Sequence, residues 1–501
     1  MTKQRIFFWL VTLSLHPMVQ AQGHDAHWIF GMGYHMEFVG GTPIMHPRVD
    51  SFVATEGASC ISDKDGNLLF YSNTQRIWNA NHEPLWNSDS INSRDNPLIG
   101  SSITNGSLFL PWPGDTTDRY FAFIVRGEND PRLFISRIDR ALDGGLGGIE
   151  VGFKSIPIVG FNVGEQLTAV RHGNGRDWWL ITRRQFSMTS STNSFYAILL
   201  GPEGIVVSIV SEFGLLSDFI GELAVSRNGE RIALASFKPP KTWIGLFAFD
   251  RCSGSVDLID SLGRENINDA YYGLAFNSNS DRLYASSVSN GSLYQFDWLS
   301  GIPNMSLVFS LDGQSATWAN GIGQLESATN GDIYVPYSYS PYVLGGDNFP
   351  LHTRSLGVLR QTSVPELILD TFAIALPDTL NLTLSLPHFP NYELGALIGS
   401  PCDSLSPPMD TTTSITLPIP EQADWSVNPT VGRDRFVVTG VPVGAELVVF
   451  DAFGRKAGTW TVSGDPFRIQ VDAWPPGLYW MVAKLPDGLQ LPVRRIVKTG
   501  N

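Results

Sequence analysis

Six times along the middle of this chain, a short apolar run meets a polar turn, and a Gly or Asp then opens a second, aromatic-rich run. The second runs begin at Gly66, Asp118, Asp177, Gly229, Asp281 and Gly331, so successive starts lie 52, 59, 52, 52 and 50 residues apart. The runs before them correspond as well: ASCISDKDG, LTAVRHGNG, LAVSRNG, LAFNSNS and LESATNG. Runs rich in Ile, Val, Tyr and Phe around Asn-Gly, Asp-Gly or Asn-Ser turns read as β-hairpins. Two more strand-like runs follow the hairpin in the better repeats, at 244–250 and 256–259 in the fourth and at 292–298 and 306–311 in the fifth. Four short strands per roughly fifty residues predict the blade of a β-propeller. One such blade leaves both faces bare; blades set radially cover each other, and closing the ring removes the long exposed edge.

The expected fold is therefore all-β, with a six- or seven-bladed propeller as the main domain. A seventh blade is expected to be assembled from 28–39 and 355–376, joining first and last segments in one latching sheet. Alternatively, those segments complete the sixth blade. No long helical periodicity interrupts the pattern. The Gly-dense stretch 142–149 lacks the strand-then-helix setting of a phosphate-cradling loop and reads as a turn. Composition agrees: only 16% of residues are charged, while Gly (49) and Pro (32) are plentiful, as many tight turns require.

Lys3 and Arg5 precede a mostly apolar stretch at 6–15, and Val19-Gln20-Ala21 forms a small-residue cleavage site. Residues 1–21 thus read as a secretory signal peptide. No later stretch reaches the roughly 20 apolar residues of a membrane span, so no transmembrane segment is expected. A formal charge of −14 repels phosphate backbones and anionic lipid and argues against nucleic acid as a partner. Of three cysteines, Cys60 alternates with apolar residues and reads as a core position. Cys252 and Cys402 each sit beside polar turns and form the candidate disulfide.

The domain plan is a propeller at 22–402, a linker at 403–422 and a C-terminal module at 423–501. The linker, DSLSPPMDTTTSITLPIPEQ, is rich in Pro, Thr and Ser and has little to build a core. The last eighty or so residues hold six strand-like runs, at 436–439, 446–450, 459–462, 467–471, 478–484 and 491–497, which predict a small Ig-like β-sandwich.

Two resemblances are carried by particular residues. Trp28-Ile29-Phe30-Gly31, EGASCISDKDGNLLFYSN at 56–73, Ile77-Trp78-Asn79 and Asn81-His82 resemble the opening of propeller-like secreted proteins of Bacteroidota. That resemblance extends to Leu386-Pro387-His388-Phe389-Pro390-Asn391-Tyr392 and Gly399-Ser400-Pro401-Cys402-Asp403. The C-terminal module resembles the type A sorting domain of the type IX secretion system. It matches at Asn428-Pro429-Thr430, at VVFDAFGR (448–455, with Gly454 and Arg455), at Pro476-Gly477-Leu478-Tyr479 and at the basic close ending in Lys498. This second resemblance implies inner-membrane passage by the signal peptide and outer-membrane passage through the type IX machinery. It also implies removal of the module, with the protein released or attached at the outer cell surface.

No GxSxG elbow, HExxH, P-loop or paired-Cys motif occurs, and no metal or cofactor is expected. Asp63-Lys64-Asp65-Gly66-Asn67 begins like a calcium loop, but it lacks the terminal Glu and reads as a hairpin tip. His24 and His27 read as a solvated tail. Glu56, Glu165 and Glu222 each stand just before the first strand of a hairpin, where Gly273 and Gly323 hold the comparable place in later repeats. If that strand is innermost, the three carboxylates ring the mouth of the channel. There they are placed to hydrogen-bond a glycan, a peptide or another surface protein, or instead to cap backbone N–H groups of adjacent blades. Trp112, Trp243, Trp298 and Trp318 are candidates for stacking on sugars or for core packing. The expected function is a secreted or surface binding protein, not an enzyme. The alternative is an extracellular hydrolase or lyase acting on polysaccharide through those carboxylates.

Overall fold

A computed structural model describes residues 23–92, 100–114, 118–127, 131–185, 193–214, 218–237, 242–263, 270–297, 304–311, 320–339, 351–360, 368–377, 382–403, 425–451, 456–485 and 494–499. The signal-peptide residues, the linker after Asp403, Trp298, Trp318, Gly454 and Arg455 lie outside them.

Among the described residues through 403, seven antiparallel sheets follow one another, at 27–46, 59–79, 107–157, 163–213, 223–262, 271–310 and 320–375. Within each of the last five, hydrogen bonding runs from the first strand outward in chain order, and the hairpins at Gly66, Asp118, Asp177, Gly229, Asp281 and Gly331 join the innermost strand to the next. The turns share one device. Asp63, Asn174, Asn228, Asn277 and Asn330 each accept backbone N–H groups two to five residues on through Oδ1, while Gly66, Gly229 and Gly331 take φ of +89°, +73° and +84°. A short side-chain carbonyl that mimics the turn, with a residue free to adopt positive φ, makes the repeat legible as Asn/Asp with Gly. The oxygens of Asp63 are occupied in this way, and no metal is needed to explain them.

Strand alternation then makes the ring. In Arg231–Ser236, Ile232 and Leu234 pack with Trp179, Ile181 and Phe195 of the preceding blade, while Ala233 and Ala235 pack with Tyr271 and Leu274 of the following one. Period-two patterning with apolar residues on both faces is what a doubly covered sheet demands. Similar clusters fill the other inter-blade spaces. The ring closes where Trp28, Phe30 and Met36 of the first blade meet Tyr334, Leu356 and Val358 of the seventh, with Trp28 and Tyr334 edge to face at 5.1 Å.

The closure corrects both latch expectations. Residues 28–39 belong to a three-stranded sheet of their own (His27–Phe30, Tyr34–Val39, Thr42–His46), and 355–375 supply the two outer strands of the seventh blade. Among the described residues, no sheet combines the two chain regions. The blade count is seven.

The segment after the seventh blade takes an unanticipated route. Residues 382–392 run down the axis between the inner strands, parallel to that of the second blade through an Ala58–Pro387 bridge. Leu384 N–H donates to Thr55 O (3.1 Å) and His388 N–H to Ala58 O (3.0 Å). Gln324 N–H donates to Leu384 O (2.9 Å), Asn391 Nδ2 to Arg227 O (2.7 Å) and Tyr392 OH to Phe109 O (2.8 Å). The LPHFPNY motif is thus a strap touching blades on all sides of the axis. Beyond it, Cys402 is joined by a disulfide to Cys252, in the loop after Trp243–Phe249. Cys60 remains a buried thiol.

Residues 425–499 form a separate module of two sheets around Trp425, Phe436, Leu447, Ile469, Met481 and Ile496. Three strands make one sheet (Ser426–Asn428, Arg435–Thr439, Phe467–Gln470) and five the other, in which Val431–Gly432 pairs parallel with Arg494–Lys498. Asn428 and Pro429 stand at the end of the first strand, Gly477 opens Gly477–Lys484, and Lys498 ends the last strand. Tyr479 is buried, with its hydroxyl on Pro475 O (2.7 Å).

Candidate functional site

The mouth of the channel lies at the N-terminal ends of the inner strands. Glu56 precedes the inner strand Ser59–Ser62, and Glu222 immediately precedes Leu223–Val225. Glu165 departs from the expected position. It lies inside Val163–Arg171, where pairing slips between Val163 and Leu167, and this irregularity aims its carboxylate at the preceding blade.

Two of the three carboxylates form one hydrogen-bonded group. Ser102 Oγ donates to Glu56 Oε1 (2.7 Å), and Tyr272 OH reaches across the axis to Glu56 Oε2 (2.8 Å). Thr104 donates to Glu165 Oε2 through both N–H (3.1 Å) and Oγ1 (2.8 Å). Burial pushes the Glu56 carboxyl upward, against the pull of its two donors. Glu165 is raised to about 8, by burial first and the Glu56 charge second, against the Thr104 bonds. Two half-buried carboxyls so placed do not easily ionise together.

Glu222 stands apart from this pair. It is 2% exposed, and its Oε2 accepts Leu274 N–H (2.6 Å) and Leu325 N–H (3.2 Å) from the next two blades. Burial raises it to about 8 against those bonds. A group so enclosed ties blades together, its Oε2 being taken up by two backbone donors. The glycines of the comparable positions have their own reason. A Cβ on Gly273 would come within 2.3 Å of Gly323 O, and one on Gly323 within 2.4 Å of Leu384 O. The strap and inner strands approach too closely there for any side chain.

Among residues absent from the sequence expectations, Ser102, Thr104 and Tyr272 complete the mouth. Gln324 joins it to the strap, donating through Nε2 to Thr104 O (2.7 Å) and accepting from Leu386 N–H through Oε1 (3.1 Å). Nothing in the local sequence marks these residues, because their roles come from blades on opposite sides of the axis. Deeper in the channel, Asp25, Glu222, Glu326, Arg227 and His388 line a cavity of about 60 Å³. Burial raises Asp25 to about 7 and Glu326 well above its ordinary range.

His24 and His27 are not a solvated tail. His24 stacks on Tyr392 at 5.1 Å, and His27 opens the first strand with its Nδ1 2.9 Å from His35 Nε2. Trp112 stacks on Phe121 (4.3 Å) with Arg119 and Arg137 near its ring, and Trp243 packs against the core between blades four and five. Among the described residues, no three His, Cys, Asp or Glu side chains are arranged to hold a metal ion, and no helix is long and apolar enough to cross a membrane.

No protein-family model matches the chain, and no curated protein matches it in sequence. Solved structures with similar strand arrangements include the periplasmic gluconolactonase of Pseudomonas aeruginosa (10% identity, 75% of this chain and 91% of that one, TM-score 0.36). Others are the hydrazine synthase of Kuenenia stuttgartiensis (12%, 66% and 99%, 0.39) and the β-propeller domain of Cps50 (Swd1) from Myceliophteria thermophila (12%, 64% and 97%, 0.34). Similarities this distant carry no argument about activity. The propeller is read from the seven sheets themselves.

Proposed function

We propose that this chain is an exported binding protein whose propeller recognises a polar ligand, a glycan or another surface protein, at the mouth bounded by Glu56 and Glu165. The C-terminal module, by its sorting-domain resemblance, directs it through the type IX machinery to the outer surface or the medium. The observation that carries the binding reading is the half-buried Glu56–Glu165 pair, set among the hydroxyls of Ser102, Thr104 and Tyr272. Carboxyls and hydroxyls in one cluster match the alternating donors and acceptors of a sugar or a peptide backbone. The strap supports the same reading, because it fills the axis behind the mouth and leaves recognition to the rim.

The test is a glycan-array screen beside a polysaccharide-degradation assay, both on protein lacking residues 1–21 and 423–501. Binding without turnover is expected. Glu56→Gln with Glu165→Gln should weaken binding at least tenfold, and Glu222→Gln should leave it intact. A second reading has one observation in its favour: Glu165, raised to about 8 beside Glu56, is protonated as a general acid must be. Turnover of a polysaccharide, abolished by Glu165→Gln, would replace binding with hydrolysis or lysis.

A further inference from the structure

A ring of seven blades must hold its two ends together, and here the first and seventh blades share no strand. The strap adds to their direct packing, Leu382 and Leu386 joining Trp28 and Tyr334 in the core between them. It bonds to blade two at Ala54, Thr55 and Ala58, to blade three at Phe109, to blade five at Arg227 and to blade seven at Gln324. Its exit is held more lightly. Glu393, Gly395, Ala396, Ile398 and Gly399 are exposed, and anchors there include Leu397 N–H on Gly173 O (2.8 Å), Arg251 on Gly395 O, Leu394 against the core between blades four and five, and the disulfide.

We propose that residues 382–403 are a redox-locked axle, in which the Cys252–Cys402 disulfide keeps the strap in the channel and its reduction lets the channel open. The strap is apolar on its core-facing side, where Leu382, Leu386 and Tyr392 pack between blades, but part of what its backbone meets along the axis is polar. Glu222, Gln324, Asn105 and Glu326 line the axis, and water can replace a strap amide on such groups at small cost. Tethering matters because a strap bound at its far end rebinds as an intramolecular event, at an effective concentration a free end lacks. Both cysteines are partly exposed and within reach of a small dithiol. Cys60 is enclosed, with its thiol pushed up to about 12 by burial. In the switching step one dithiol sulfur attacks the Cys252–Cys402 bond, its partner resolves the mixed disulfide, and the reductant leaves as a cyclic disulfide. Each protein sulfur ends as a thiol, two electrons and two protons having been transferred.

Opening would reach the mouth as well, since Leu384 is bonded to Thr55, beside Glu56, and Gln324 bridges Leu386 to Thr104. The test is hydrogen exchange on the full folded chain, with and without dithiothreitol, read at the amides of Leu384, Leu386 and His388. Reduction should speed their exchange at least tenfold while Ile232 and Leu234 in blade five keep their protection. The Cys252→Ser, Cys402→Ser variant should behave like the reduced chain without reductant. If the variant does not fold, reduction of prefolded wild-type protein gives the same readout. Unchanged protection at all three amides would overturn the proposal. So would simultaneous loss of protection in every blade, which would make the disulfide a clamp on the ring instead of on the strap.

Discussion

Glu222 shows how a single carboxyl can be structural because of what donates to it. Two backbone N–H groups from different blades converge on one oxygen, and an Ala there would leave both buried and unpaired at about 1–3 kcal/mol each. Glu222→Ala should therefore lower unfolding stability by about 2–6 kcal/mol in a urea titration. Glu222→Gln keeps an acceptor oxygen and should cost far less. The pH dependence follows from the raised value. The carboxyl titrates near 8 in the fold and near 4.3 when unfolded, so its contribution is full below the unfolded value and is lost as pH rises through about 8. Through this group, wild-type stability should fall from about pH 4.3 to about 8 and level off above that, and Glu222→Gln should flatten that limb. An equal fall in both proteins would show that other carboxyls, such as Glu165 and Asp25, dominate it.

The three-stranded first blade has the opposite pH sensitivity. His27, His35 and His46 come from its three strands, His35 opposite His46 in register, and the two rings stack at 4.7 Å. His82 of the next blade meets His35 edge-on at 5.7 Å and bonds to Tyr71 OH (3.0 Å), while Glu37 accepts from His46 (2.7 Å). Burial, then the neighbouring imidazoles, lower His35 to about 3, and burial lowers His27 and His82 as well. Between their ordinary value near 6.5 and these depressed values the unfolded chain binds more protons, so stability falls as pH drops below 6.5. Acidification from pH 7 to 4.5 should cost about 1–3 kcal/mol through His35, visible as a lower urea midpoint. His35→Phe, which keeps a ring in the stack, should remove most of that acid limb. The blade's spacing hid it from the repeat, because its hairpin turns on Gly31 and Gly33 without the Asn/Asp-Gly signature of the other six.

At the scale of the whole molecule, the disulfide spans 150 residues. Closing a loop of that length constrains the unfolded chain by about 5 kcal/mol in the chain-entropy picture. It also suggests a boundary, since the described residues from Gly23 through Cys402 pack with the propeller. Cutting within 404–422 should release the C-terminal module and leave the strap in place, which intact mass spectrometry after limited proteolysis would show. The sorting proposal is tested at the same scale. Deleting 423–501 should trap the protein in the periplasm, and arrival of the truncated chain in the medium would end that reading.

Local physics made much of this protein legible. A turn needs positive φ and a side-chain cap whatever surrounds it, so six Gly- or Asp-opened hairpins spelled out the blades. The same reading found Glu56 and Glu222, since position before an inner strand is a local property, and it named Glu165 although that residue lies inside its strand, at a register slip. It did not sort them. Glu222 became a buried tie, and Glu56 and Glu165 a pair, only because Leu274, Leu325, Tyr272 and Thr104 arrive from other blades. The blade count and the axial strap were likewise beyond local reach. Both depend on which surfaces meet when the ring closes, and such contacts join residues hundreds of positions apart that carry no mark of one another in the chain.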